Sequence, residues 1–325
     1  MKTIVKIITI IILFLTIVVL VGGYYIGSHL YDAFLDPSTD KSKYVETLAM
    51  KDQKLIEWQN WSNGIQYKDV NVESFDHLIL HSYLIEQTTK SDVWVIIYHG
   101  YGEDATYMTE AAKFFYAQGY SLLLPDARAH GKSEGSAYGM GWDDRLDIIS
   151  WIEYINEKYP NQQIILYGFS AGASSILMTT GEDLPDNVKA IISDSAYTTA
   201  YDLLDYQFDK IYSFPTFPLI FSMDVVASVR LGYGLKDASS LKQLPKADVP
   251  ILFIHGEKDT TVPVKMVHKL YEATRSEKEL LIIPLADHGE TTKDSLYWKS
   301  VLTFIQKYIT PRSIQETPET VETPE

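Results

Sequence analysis

Residues 163–172 read Gln163-Ile164-Ile165-Leu166-Tyr167-Gly168-Phe169-Ser170-Ala171-Gly172, and the helix-patterned stretch AGASSILMTT grows out of their end. A short, continuous apolar run of this kind fits a strand buried on both faces. The two glycines permit a turn too sharp for side chains, which would lift the hydroxyl between them to the start of a helix. A glycine-rich packing turn is the plain alternative, so the neighbours of the stretch decide.

Working outward, similar runs recur at VWVIIY (Val93 to Tyr98), YSLLLP (Tyr120 to Pro125), VKAIIS (Val188 to Ser193), VPILFIH (Val249 to His255) and ELLIIP (Glu279 to Pro284). Helical patterns separate most of them, among them MTEAAKFFYAQ, RLDIISWIEYINEK, VKMVHKLYEA and LYWKSVLTFIQKY. Strand alternating with helix implies right-handed crossovers, hence an α/β fold with a mostly parallel central sheet and helices on both faces. Upstream, KDVNV and HLILHSYLIE alternate apolar with polar residues and predict two half-buried antiparallel strands. Between Ser193 and Val249 the chain is far longer than the dozen or so residues a crossover needs, and it is rich in aromatics (YQFDKIYSFPTFPLIF). A small lid over about residues 196–245 is expected there, with extra helices packed elsewhere as the alternative.

The chain has 325 residues, with 43 acidic against 28 basic side chains and a formal charge of −15. That balance repels nucleic acid and anionic headgroups, so neither is expected as the main partner. The sequence has no cysteine, which excludes disulfides, thiolate metal sites and a cysteine nucleophile. No charge interrupts Ile7 to Gly27, and at about 1.5 Å per residue this run spans roughly 31 Å, a bilayer core. Lys2 and Lys6 precede it while Asp32, Asp36 and Asp40 follow, so the positive-inside rule predicts a single-pass signal anchor with the remainder outside the cell. A cleaved signal peptide is the alternative. The expected organisation is therefore an anchor (1–27), a connector (28–65), a catalytic body (66–309) carrying the lid, and a disordered acidic tail (310–325).

In sheets of this kind functional groups gather beyond the carboxyl ends of the strands. A serine hydroxyl is a poor nucleophile near neutral pH, so it needs a base, and the base needs an orienting carboxylate. After VPILFIH comes Gly256-Glu257-Lys258-Asp259, and after ELLIIP comes Leu285-Ala286-Asp287-His288-Gly289. Ser170 is thus expected as nucleophile, His288 as general base then acid, and Asp259 as the carboxylate, with Glu257 as rival acid. The backbone N–H groups of Tyr101, in His99-Gly100-Tyr101-Gly102, and of Ala171 are expected to form an oxyanion hole. His99 and His255, each ending a strand, read as structural, and the loop Asp126 to Ser133 reads as a buried ion pair shaping the neighbourhood of the nucleophile. No H-E-x-x-H, Walker loop or G-x-G-x-x-G occurs, so neither a metal nor a cofactor is expected.

HGYG, PDARAHGKS, GFSAG, HGEKDTTVP and DHG fall in the order and at the strand ends where the α/β-hydrolase superfamily places its oxyanion loop, fourth-strand loop, nucleophile elbow, acid loop and histidine loop. From about Val93 to Tyr308 the chain resembles that superfamily. With its apolar N-terminus it most resembles membrane-anchored cell-surface hydrolases of Gram-positive bacteria, relatives of esterases, monoacylglycerol lipases and serine aminopeptidase-like enzymes. The resemblance implies a carboxylesterase acting on a small ester or lipid-like substrate, with lipase, thioesterase or peptidase as alternatives on the same triad. A catalytically idle surface-anchored binding protein is the reading from another class. Three positions depart from the family pattern: Ala129 and Ala171, where glycine and methionine are usual, and Asp287, where glycine commonly precedes the histidine. Asp287 is expected to raise the pKa of the neighbouring base.

Overall fold

The computed structural model describes residues 2–40, 50–88, 91–212 and 215–310. Its centre is an eight-stranded sheet formed by β1 (Lys68–Glu73), β2 (Ile79–Ile85), β3 (Val93–Tyr98), β4 (Ser121–Pro125), β5 (Gln163–Phe169), β6 (Val188–Asp194), β7 (Ile251–Gly256) and β8 (Lys278–Ile283). The strand order is β1-β2-β4-β3-β5-β6-β7-β8. β1 pairs antiparallel with β2, and β2 antiparallel with β4. The remaining pairs are parallel.

Successive residues of β3 feed opposite layers, as the two-residue period of a strand requires. Val93, Val95 and Ile97 join one core with Phe115, Tyr297, Val301 and Phe304, whereas Trp94, Ile96 and Tyr98 join a second with Ile148, Trp151, Ile176 and Leu270. The first layer is covered by α3 (Thr109–Ala117) and α10 (Tyr297–Ile305), the second by α4 (Asp144–Lys158), α5 (Ala171–Thr179) and α9 (Lys265–Ala273). In α4 the residues Ile148, Trp151, Ile152 and Ile155 are fully buried, a spacing that puts them on one helical face. Before the sheet, α2 (Lys51–Ser62) inserts Trp58 into the first layer.

The long interval before β7 folds into three helices, α6 (Ala200–Tyr212), α7 (Leu219–Leu231) and the short α8 (Ser240–Gln243). With them lies a third apolar cluster at the carboxyl edge of the sheet. The N-terminal helix α1 (Lys2–Leu35) runs past Gly27, and its last turns bury Tyr31, Phe34 and Leu35 in this cluster, against Tyr138, Phe208, Met223 and Val226. An apolar window of α1 with mean hydropathy 3.2 has no buried residue, and the helix is long and apolar enough to cross a membrane.

Candidate active site

The turn from β5 into α5 is set by close approach. A Cβ on Gly168 would stand 2.6 Å from the Gly172 carbonyl oxygen, and one on Gly172 would overlap the carbonyls of Tyr98 and His99, so neither position admits a side chain. Between them Ser170 has φ 54° and ψ −117°, a conformation that L residues rarely adopt. Its N–H donates to the Asp194 carbonyl at 2.8 Å, and its own carbonyl accepts from Ser174 N–H at 3.0 Å, which pins the strained residue from both sides.

Ser170 Oγ lies 3.0 Å from His288 Nε2. On the other side of the ring, Nδ1 lies 2.7 Å from Asp259 Oδ2. The other oxygen of Asp259 accepts from the N–H groups of Thr261 (2.8 Å) and Val262 (2.7 Å). Three residues from three separate loops therefore meet as one hydrogen-bonded chain. Glu257 stands apart from it and accepts from Leu285 N–H at 3.2 Å.

The electrostatics follow from these contacts. Burial works against the Asp259 carboxylate, but hydrogen bonds from His255 and His288 outweigh it and hold this group well below the ordinary carboxylate range. Burial likewise works against a charge on His288, and the hydrogen bond and charge of Asp259 outweigh it, raising the imidazole above its ordinary 6.5. Asp194 and Glu103 add to that rise. Asp287, expected from sequence to be its source, faces elsewhere. Its carboxylate accepts from Thr260 N–H at 2.8 Å and from the His288 backbone N–H at 2.7 Å, which ties the histidine loop to the acid loop without meeting the ring.

The loop after β3 is held by two histidines. His99 Nε2 accepts from Ala127 N–H at 2.9 Å, so its proton sits on Nδ1 and is donated to the Gly100 carbonyl at 2.8 Å. His130 Nε2 accepts from Gly102 N–H at 3.0 Å, and its Nδ1 donates to the Arg128 carbonyl at 2.8 Å. Burial, with His99 adjacent, pushes His130 down to about 3, so the ring is neutral and serves as an acceptor. Gly100 N–H is committed to Glu103 Oε2 at 3.0 Å. The amides on either side of Tyr101 are thus both engaged, while the Tyr101 hydroxyl donates to the Phe34 carbonyl at the end of α1. A cavity of about 20 Å³ lies between Tyr101, Ala171 and His130.

The fourth-strand loop holds the expected buried ion pair, with the partners of its arginine outside the loop. Arg128 reaches out to Asp147 on α4 (2.7 Å) and to Asp76 (3.0 Å) in the turn between β1 and β2. Asp126 instead takes the His81 ring (2.9 Å) and the N–H groups of Ala105 and Lys132, both at 2.9 Å. The structural reading of His255 agrees with its bond to the Val262 carbonyl at 2.7 Å. Asp194 was not singled out in the sequence, although its side chain is buried at the end of β6 and accepts from Thr291 (2.7 Å) and Tyr297 (2.8 Å). An aspartate closing an apolar strand was the available signal. The lid leans on the acid loop, with Lys210 Nζ donating to the Thr260 carbonyl at 2.7 Å and Gln207 to that of Thr261.

Residues 89–208 match the family described as serine aminopeptidase, S33. Over 65% of its length the chain is 28% identical to the uncharacterized protein YqkD of Bacillus subtilis, covering 70% of that protein. Over 75% it is 24% identical to the uncharacterized membrane protein YNL320W of Saccharomyces cerevisiae, covering 81% of it. Among solved structures, the esterase Pf2001 of Pyrococcus furiosus superposes with a TM-score of 0.61 at 24% identity, over 75% of this chain and 93% of the other. The sheet order, the strained serine turn and these likenesses together show that the chain has the α/β-hydrolase fold.

Proposed function

We propose that the protein is a serine hydrolase that cleaves carboxylic esters through an acyl-enzyme. The observation that carries this reading is the continuous hydrogen-bonded chain from Ser170 Oγ through His288 to Asp259. In the first half-reaction Ser170 Oγ attacks the ester carbonyl carbon as its proton passes to His288 Nε2. Asp259 fixes the ring with Nδ1 protonated and stabilises the imidazolium. The oxyanion is received by the N–H groups of Tyr101 and Ala171, each such donor contributing about 3 kcal/mol in acyl transfer. The tetrahedral species collapses by breaking the bond to the alcohol oxygen, which takes the proton back from His288. Water then repeats the sequence with His288 as base and releases the carboxylic acid and free Ser170.

Ester specificity rests on the apolar character of the cluster above Ala171, to which Tyr101, Tyr201, Tyr206 and Trp142 contribute. In this reading residues 66–309 form the catalytic body, and Lys2 and Lys6 at the start of α1, ahead of its uncharged run, favour an orientation with that body outside the cell. The test is reaction with a fluorophosphonate probe followed by a panel of p-nitrophenyl esters, monoacylglycerols, thioesters and aminoacyl amides. Labelling of the wild type and none of Ser170→Ala is expected, with turnover highest on esters. Absence of labelling in a folded wild-type sample would leave a binding protein on an idle fold, and preferential turnover of aminoacyl amides would make it a peptidase.

A further inference from the structure

Large exposed apolar side chains concentrate on two neighbouring helices. One is α1, whose outward residues are lipid-like along most of its length. The other is α7 with the turn that leads into it, where Phe217, Phe221, Val225 and Val229 are 70%, 44%, 42% and 68% exposed. Phe221, Val225 and Val229, four residues apart, make a single stripe along the helix, and the Phe217 ring in the turn before it extends the stripe, its centroid 6.0 Å from that of Phe221. The inner face of the same helix is already satisfied, since Ile220, Met223, Val226 and Ala227 are buried in the lid cluster.

The two helices are packed against one another at one height. A Cβ on Gly27 would overlap the Ser222 carbonyl and stand 2.9 Å from Val226 Cγ2, so only glycine lets the backbones come this close. A Cβ on Gly23 would lie 3.5 Å from Ser222 Oγ. Further along, Asp32 pairs with Arg230 at 2.5 Å, and Arg230 covers the Tyr31 ring. Ser222, Val226 and Arg230 form the row that faces α1. The stripe is the next row around the helix, displaced by about 100°, so it continues the apolar surface of α1 sideways. The pairings also give depth: Ser222 stands level with Gly23 and Gly27, at the end of the uncharged run, and Arg230 level with the charged Asp32. Lys236 Nζ, 5.6 Å from the Phe221 ring centroid, is neutralised by Asp224 at 3.7 Å, so the charge nearest the stripe is paired.

From this arrangement we infer that α7 is seated in the leaflet of the bilayer that α1 crosses, its stripe of Phe217, Phe221, Val225 and Val229 immersed in the hydrocarbon boundary. The lid then works at the membrane surface, with its inner face toward Ala171 and its outer face in lipid. A soluble protein partner would not account for the continuity with α1 or for the ordering in depth.

Because the chain contains no cysteine, each position can be read alone by a single substitution. The full-length protein is reconstituted in vesicles of phosphatidylglycerol and phosphatidylcholine as Phe217→Cys, Phe221→Cys, Val225→Cys and Val229→Cys, each labelled with an environment-sensitive fluorophore. Ile12→Cys reports the span and Asp186→Cys, at the opposite end of the sheet, reports water. Spin-labelled lipids are expected to quench the four stripe positions several-fold more than Asp186→Cys, and Phe217 and Phe221 more than Val229. Quenching at Ile12 with the stripe no more quenched than Asp186 overturns the inference, as does a lack of quenching at Ile12. Fluorophosphonate labelling of Ser170 in the same samples reports on the hydrolase reading separately.

Discussion

Two mostly buried histidines, His288 bonded to Ser170 and His130 bonded to the loop that carries Tyr101, are driven in opposite directions. His288 is raised above 6.5 because Asp259 outweighs the effect of burial. His130, packed face to face with Tyr138 and paired with backbone groups alone, is pushed down to about 3. One carboxylate thus separates an imidazole that can accept and return a proton from one that holds a loop in place.

The largest test of that contrast removes the carboxylate. Asp259→Asn should lower turnover by about 10³- to 10⁴-fold, since the amide favours the wrong ring tautomer. Its residual activity should have an acid limb at lower pH than the wild type. In the wild type only the neutral base works, so kcat/KM should climb with pH through a value above 6.5, and a pH–rate profile checks both statements.

Stability should respond to His130 with the opposite sign to His288. Because the folded-state pKa of His130 is depressed, the unfolded chain takes up a proton below 6.5 while the folded chain does not until about 3. Folding stability is therefore unaffected by this group above 6.5 and falls as pH drops, by roughly 2–3 kcal/mol at about pH 4.5. The raised pKa of His288 makes a contribution that is present at low pH and disappears as pH rises through the raised value. Denaturant titrations of His130→Gln at neutral and acid pH should show a smaller acid loss than the wild type. The same variant, which loosens the Gly102 amide, should lower kcat about tenfold while leaving the acid limb in place. A shifted limb would mean that His130 communicates with the base.

The smallest effect is expected from Asp287→Ala. Its carboxylate binds Thr260 and a backbone amide, so turnover should change less than about threefold and the acid limb should move little. A large downward shift of that limb would restore Asp287 as the source of the raised pKa.

Much of this site was readable along the chain because it depends on order: a serine between glycines, an acid and a histidine, each just beyond an apolar strand. The parallel sheet was readable for a related reason, since strands buried on both faces carry unbroken apolar runs. What stayed hidden depends on groups that sequence does not display. His99 and His130 bind backbone atoms, and any residue presents those. Asp287 is adjacent to His288 in sequence, yet its side chain points to the acid loop. Arg128 finds partners on α4 and in the β1–β2 turn instead of in its own loop. The charges that follow Gly27 mark the end of the apolar run in the sequence, whereas the helix carries Asp32 on its exposed side and continues to Leu35. Nearly all of the expected acidic tail, 311–325, lies outside the described residues.

The bond from the Tyr101 hydroxyl to Phe34 has one more implication. The segment that would give the protein its address is also a strut beneath the loop on which turnover would depend. A truncation that begins after Leu35 would remove that strut and the aromatic plug formed by Tyr31 and Phe34, so a water-soluble version should retain the helix from Gly27 onward.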